Sequence, residues 1–541
     1  MDDKMFEERL SGLKQAYEEM PDRLNAQEIT RGIIGKEGKK RRFRYMSLPA
    51  AASFAGVVLI GGLLSFQMMK HPESSPGEGK PGIMQQEQHP PAKEQIKEKA
   101  EEAKAYYSNL LEVLKKKLNN EDAGLYPFVQ EANEAIAKFE NQPFANEKEL
   151  DTQSEKLKEK IESHVSTIDE QMAGLQKKAE KGETVSDEEL LLLLSKQDQM
   201  YERYNEKWEV ISGQATADME NFESAIASMN DGTYGNKELQ PIVTEIRKAG
   251  YRFFDAGEGM INIQPDYTWP KKMLGGRISA SFSDWSDLSL NSPFLADNSV
   301  KSYPDLAERL VELEEFTLKN PNFGRMEEVK MVYRNLLQNY ILKGFFDPNI
   351  KSPSPEFTAS IEKMRQNASE SETYKSIAPL YQKYKEGTLQ KGEKVKISSA
   401  LQTSIPENVS PAYLLPLTAQ MKDQYGELKA SKDGQASISE GPYLGSMSSQ
   451  QAVALRMYFY AVLNKDYDIA YILTDQKKSK AEFIQEAEKA EPEYKSLNHK
   501  VRYISTESSQ SEEGLTIIEL YSSEGKEKTF SIKDNQLILR Q

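Results

Sequence analysis

Between Tyr45 and Met69 the chain carries no charged residue, while Lys39, Lys40, Arg41, Arg42 and Arg44 precede the run and Lys70 follows it. At about 1.5 Å per residue, a helix over this run exceeds the roughly 30 Å of bilayer hydrocarbon. The run therefore predicts one transmembrane helix over 45–69. Basic residues gather at the cytoplasmic end of a span. Residues 1–44 are thus expected inside the cell membrane and the bulk of the chain outside it. A cleaved signal peptide is the competing reading. The apolar run starts far from Met1, and the small residues Ala50, Ala51, Ala52 and Ser53 precede its centre, where a cleavage site would follow it. The uncleaved anchor is the better fit. Ala52 and Gly56 have the spacing that lets two spans approach closely, although small residues are common in spans generally.

The rest of the composition is that of a water-exposed, helix-rich protein. Of 541 residues, 38% are hydrophobic and 29% charged, a balance unlike that of a multi-span transporter. The net charge is −15, yet residues 1–45 hold eleven basic against nine acidic side chains, so the acidity lies beyond the span. An acidic ectodomain repels nucleic acid, and no nucleic-acid partner is expected. The chain has no cysteine, which removes disulfides, thiol nucleophiles and cysteine-based zinc sites together. No metal or other cofactor is expected. An exported chain without cross-links fits a bacterial cell envelope.

Inside the membrane, Phe6, Leu10, Leu13 and Tyr17 recur at steps of four, three and four, one stripe of an amphipathic helix that Pro21 ends. A second short helix follows, with Leu24, Ile29, Ile33 and Ile34 as its apolar residues. Two helices this short cannot bury enough surface to fold alone, so they call for a partner. Their polar face includes Glu7, Glu8, Glu18 and Glu19, which favours a protein over an anionic membrane surface.

The pattern Arg9-Leu10 to Leu13-Lys14, Tyr17-Glu18-Glu19-Met20-Pro21 and Leu24, then a basic run and one span, resembles the cytoplasmic ends of membrane-bound anti-sigma factors of Gram-positive bacteria. These regulate extracytoplasmic-function sigma factors, and the likeness covers the first 70 residues or so. One branch of that family carries a His-xxx-Cys-xx-Cys zinc site; with no cysteine, this chain could match only the zinc-free branch. The resemblance implies that the inner helices hold a sigma factor until an outside signal releases it, often by stepwise proteolysis.

Beyond the span, residues 70–92 are rich in proline and glycine and read as a flexible linker. Residues 93–258 read as a helical bundle. Ile96, Ala100, Ala103, Tyr107, Leu110 and Leu114 step by four and three, as do Leu157, Ile161, His164 and Ile168. Ser186 and Glu189 form a capping box ahead of five consecutive leucines, Leu190 to Leu194, continuing through Met200, Tyr204, Trp208 and Ile211. Five leucines cover every side of a helix, which places that helix at the centre of the bundle. The aromatic residues Tyr251, Phe253, Phe254, Tyr267 and Trp269 then offer a candidate ligand surface for a glycan or peptide, with packing between helix layers the plainer and favoured reading.

Residues 259–390 read as helical hairpins. Leu306, Leu310, Leu313 and Phe316 face Val329, Val332, Leu336 and Tyr340 across Asn320-Pro321-Asn322-Phe323, and 355–386 supply another pair. This resembles tetratricopeptide-type hairpins, although no fixed period runs through three copies. Residues 391–447 read as a linker with one helix near 412–422. In 448–541, three helices precede strands at 499–506, 514–522, 527–533 and 536–540, a small α+β domain. Its element order and the Tyr458-Phe459-Tyr460 helix resemble the nuclear-transport-factor-2-like cone. The expected fold class is therefore mainly α, with a short cytoplasmic segment, one span, a multi-helix ectodomain and a C-terminal α+β domain.

No motif spacing joins the four histidines, at 71, 89, 164 and 499, to a serine or aspartate. The glycine pairs near 257 and 275 are not followed by phosphate-loop residues. No catalytic residue is assigned, and the chain is not expected to be an enzyme. Two readings remain: a single-pass regulator that sequesters a sigma factor through its inner helices, or a structural or ligand-binding envelope protein that holds wall polymer or another envelope protein.

Overall fold

The five-leucine helix is the element against which its neighbours are built. A computed structural model describes residues 90–215, 222–257, 259–289, 302–347, 352–406, 409–431, 449–508, 514–533 and 535–538. All of them belong to one compact unit. The inner helices, the basic cluster and the span over 45–69 lie outside the described residues, and among the described ones no helix is long and apolar enough to cross a membrane.

The chain enters through α1 (Lys93–Leu118), which closes at Asn119 in a left-handed conformation with φ 46°. A short 3-10 turn leads to α2 (Pro127–Asn141), started by a proline at its first position. The next helices are α3 (Glu147–His164) and α4 (Ile168–Glu180). The Asn146 side chain accepts the first-turn amide of Glu149, and Thr167 with Glu170 forms a capping box. Then comes α5 (Asp187–Ala215). The amides of Ser186 and Glu189 are capped by each other's side chains at 2.9 and 3.3 Å, as the sequence pattern predicts. Leu190, Leu192, Leu193 and Leu194 are buried.

After α6 (Phe222–Asp231) and α7 (Gln240–Lys248), the chain departs from the helical reading of 93–258. Strands β1 (Tyr251–Asp255) and β2 (Ile261–Pro265) form an antiparallel hairpin, with Phe253 opposite Ile263. The physical reason is period-two alternation: Tyr251, Phe253, Ile261 and Ile263 all turn inward. Gly250 starts the hairpin at φ +76°, where a Cβ would stand 2.1 Å from Gln197 and 2.4 Å from Trp269, so only glycine lets β1 approach α5.

Short helices α8 (Trp269–Leu274) and α9 (Ala280–Leu288) precede two hairpins. These are α10 (Tyr303–Lys319) with α11 (Met326–Phe345), and α12 (Pro355–Asn367) with α13 (Glu372–Lys385). Leu306, Leu310, Leu313 and Phe316 meet Val329, Leu336 and Tyr340 in the core, while Val332 is half-buried. The hairpins are locked by a buried carboxylate: Glu314 on α10 accepts the amides of Glu372 and Thr373 at 2.7 and 2.8 Å, capping α13 from across the pair.

The C-terminal part begins earlier than residue 448. Strand β3 (Ser410–Pro411) and helix α14 (Ala419–Ala430) precede α15 (Gln450–Leu463), α16 (Tyr467–Ile472) and α17 (Lys480–Lys500). Strands β4 (Tyr503–Ser508), β5 (Leu515–Ser522), β6 (Gly525–Lys533) and β7 (Gln536–Ile538) complete an antiparallel sheet in the order β3-β4-β5-β6-β7. Leu414, Leu415, Leu417, Met421 and Tyr425 share one core with α15, α17 and the sheet. The helix read near 412–422 starts only at Ala419, where the extended Thr418 caps it by accepting the Met421 amide. Helix α17 continues to Lys500, so His499 stands in its last turn and not at a strand edge.

Candidate functional site

After its leucines, α5 carries Lys196, Gln197, Asp198, Gln199, Glu202, Asn205 and Glu206, polar residues that an isolated helix would give to water. Lys196, Gln197, Gln199 and Asn205 are instead buried. A buried polar group costs free energy unless it finds partners, and these find them on other elements. The Lys196 ammonium donates to the carbonyls of Ser163 and Ser166 at 2.5 and 2.8 Å and to the Ser166 hydroxyl at 2.9 Å, closing the C-terminal end of α3. Its three donors meet three acceptors, although burial pulls its pKa well below the ordinary lysine value. Gln197 donates to the Gly250 carbonyl at 2.8 Å, and Gln199 accepts the Phe128 amide at 3.1 Å.

Beside this row His164 and Glu131 lie 3.7 Å apart. Burial, with the Lys196 charge added, pushes His164 down to about 3, and burial pushes Glu131 up to about 7. Between those values both groups are neutral, so this contact is not an ion pair. His164 Nδ1 faces the Phe128 carbonyl at 2.8 Å, an acceptor only, and so carries the proton.

Asp198 reaches the densest charge cluster. Arg325 is bound to Asp198, and its Nε lies 2.9 Å from Glu328. Tyr267 donates to Asp198 at 2.8 Å and Tyr503 to Glu328 at 3.2 Å. The guanidinium also lies over the rings of Tyr267 and Trp285, 5.1 and 5.3 Å from their centroids. One buried guanidinium thus faces two carboxylates. Burial pushes Glu328 well above the ordinary carboxyl range, with Arg325 opposing it. The cluster ties α5, α11, the Tyr267 loop and β4 together.

One turn further, Glu202 and Glu206 reach the C-terminal part. Arg456 of α15, with a fully buried side chain, forms a forked pair with Glu202 at 2.9 and 2.8 Å and donates to the carbonyls of Leu414 and Pro416, both at 3.0 Å. The Glu206 carboxylate accepts the amides of Ala419 and Gln420 at 3.1 and 3.3 Å and so caps α14. Lys422 bridges back to Asp122 and Asn120, each at 2.7 Å.

A cavity of about 170 Å³ lies at this seam, walled by the end of α1, by α5 and by residues 413–422. Asn120, Glu202, Arg203, Glu206, Tyr413 and Lys422 line it. Three of the four charged residues on the wall have the partners just given. For Arg203 no ion pair or hydrogen bond is found among the described residues; its Nε and the Tyr413 hydroxyl are buried without a hydrogen-bond partner.

The aromatic candidates lie elsewhere and form a core. Tyr251, Phe253 and Tyr267 are 3%, 1% and 4% exposed, which removes them from any ligand surface; Phe254 and Trp269 are half-buried. Phe253 meets Trp208 edge-on with centroids 4.9 Å apart, and Tyr251 donates to the Gln197 carbonyl. Burying the rings against α5 removes more apolar area from water than a surface site would. The proposed inner contact residues Phe6, Leu10, Leu13, Tyr17, Leu24, Ile29, Ile33 and Ile34, with Lys39, Lys40, Arg41, Arg42 and Arg44, lie outside the described residues. The sequence reading singled out none of Glu202, Arg203, Glu206, Tyr413, Lys422 and Arg456, because nothing in local spacing brings 202–206 to 413–422. No family model, curated protein or solved structure matches the chain.

Proposed function

We propose that the protein is a single-pass membrane regulator whose cytoplasmic helices sequester an extracytoplasmic-function sigma factor under the control of a large ectodomain. The observation that carries this reading is the uncharged run at 45–69 with Lys39, Lys40, Arg41, Arg42 and Arg44 on one side. It divides two amphipathic stripes too small to fold alone from a compact unit whose first described helix is Lys93–Leu118. Short helices that need a partner, tied through one span to a large folded body, suit a device that reports outside events to a protein inside. Full-length protein carrying an affinity tag at Gln541, purified from its own cells in mild detergent, is expected to bring down a sigma factor. The same purification with Leu10, Leu13 and Ile33 replaced by serine should lose it. Recovery of no sigma factor with the unaltered chain would refute the proposal.

The second reading, an envelope protein that binds a wall component with the inner segment as a stub, draws support from the cavity at the α5 seam. It predicts that the serine replacements leave the cell's envelope phenotype unchanged.

A further inference from the structure

We infer that the contact between the last turn of α17 and helix α2 is an acid-sensitive latch, which holds the C-terminal α+β part against the helical part near neutral pH and opens when His499 takes up a proton. This goes beyond the regulator reading and does not depend on it. Two neighbouring side chains of α17 build the latch. Asn498, fully buried, donates to the Leu125 carbonyl at 3.1 Å and to the Gln130 side chain at 3.2 Å, which fixes the helix end on α2 and on the turn before it. His499 follows, with Nε2 3.9 Å from Glu134 and with Nδ1 buried and without a hydrogen-bond partner.

A neutral imidazole suits that position and an imidazolium does not. With its proton on Nε2, on the side of Glu134, the ring leaves only a bare lone pair at Nδ1. A second proton turns Nδ1 into a buried donor of a charged group with no acceptor. The charges around the ring do not offset this. Helix α2 presents Glu131, Glu134 and Lys138, α3 presents His164 and Lys160, and the end of α17 presents Lys500 and Arg502, whose Nη1 donates to the His499 carbonyl at 2.5 Å. Glu134 is 48% exposed, so one water-screened carboxylate stands against Arg502, Lys138 and Lys500. Burial accordingly pulls His499 below the ordinary histidine value, with Glu134 opposing and the three cations adding. His164, at about 3, stays neutral and keeps its proton on the Phe128 carbonyl.

Once α17 lets go, His499 stands in water and titrates near about 6.5. The open form then binds the proton more readily than the closed one, so the latch weakens as pH falls below about 6.5, by at most ten-fold per unit. Glu131, raised to about 7, acts in the opposite sense, so the histidine's share is read as a difference between variants.

Hydrogen exchange of the full-length protein in detergent, corrected for intrinsic rate and compared at about pH 7.5 and about pH 5, tests the latch. Protection of residues 494–501 and 125–133 should fall about five-fold or more in acid, while α10 and α11 keep theirs. His499→Gln, neutral at every pH, should remove that fall. Glu134→Gln should deepen it, because the closed form loses the one carboxylate that favours an imidazolium; lying on the exposed side of the ring, this change leaves the packing intact and decides the matter alone should His499→Gln fail to fold. No fall in the parent, an equal fall in His499→Gln, a fall unchanged in Glu134→Gln, or an equal loss of protection in α10 and α11 would overturn the latch.

Discussion

A guanidinium and two carboxylates sealed from water, as Arg325, Asp198 and Glu328 are, survive in a fold only if their number of protons is adjusted to the site. At Glu328 the adjustment is a raised pKa, burial being the first cause. A carboxyl whose folded pKa lies above its unfolded one contributes stability that is complete below the unfolded value and is lost as pH rises through the folded value. Glu328→Gln, neutral at every pH, escapes that loss. Its melting temperature should therefore match the parent's near pH 4 and gain on it as pH rises above about 4.5. Scanning calorimetry of both proteins across that range reads the difference; a gap that shrinks with rising pH would mean Glu328 is ionised in the fold. Arg325→Met is expected to cost about 3–5 kcal/mol, since it leaves Asp198 buried without its cation. None of this was visible in the sequence, where Asp198 lies more than a hundred positions from Arg325 and Glu328 and all three are ordinary charged residues.

Single elements were more legible, because a helix or strand advertises itself through local periodicity. The capping box at Ser186 and Glu189, the helix over Gln450–Leu463 and the strands after Leu515 all follow from patterns within one or two turns. The β1–β2 hairpin was missed: its five-residue strands are short, and the helical pattern on either side outweighed the alternation of Tyr251 and Phe253. Likewise, residues 412–417 read as the start of the helix near 412–422, yet they precede it and Leu414, Leu415 and Leu417 are core; a short buried segment outside a helix or strand has no period to reveal it. Capping across helices is equally silent in sequence. Glu314 caps α13 and Glu206 caps α14, each from a distant position. Glu314→Ala should cost about 1–3 kcal/mol, because three donors lose a buried carboxylate. Glu206→Ala should cost about 0.5–2 kcal/mol, the range of a lost cap. Urea denaturation followed by far-ultraviolet circular dichroism measures both, and a larger loss for Glu206→Ala would contradict the difference in burial on which they rest.

Across the whole molecule, α5 holds the helical part and the C-terminal α+β part in one compact unit, chiefly through the Glu202–Arg456 fork, the Glu206 cap and the cluster around Arg325. The three tryptophans, Trp208, Trp269 and Trp285, all lie in the helical part, so their fluorescence and the hydrogen exchange of β5 report on the two parts separately. The two probes should give one urea midpoint in the parent. Glu202→Ala, which strands the buried Arg456 charge at a cost of about 3–5 kcal/mol, should separate them; separate midpoints already in the parent would contradict a shared unit. Whether this body governs a protein held by residues 1–44 is decided by transcript profiling of cells whose only copy carries serine at Leu10, Leu13 and Ile33. Constitutive expression from a defined set of promoters, without loss of the protein from the membrane, is the predicted result. A transcript profile identical to that of the parent cells would contradict it.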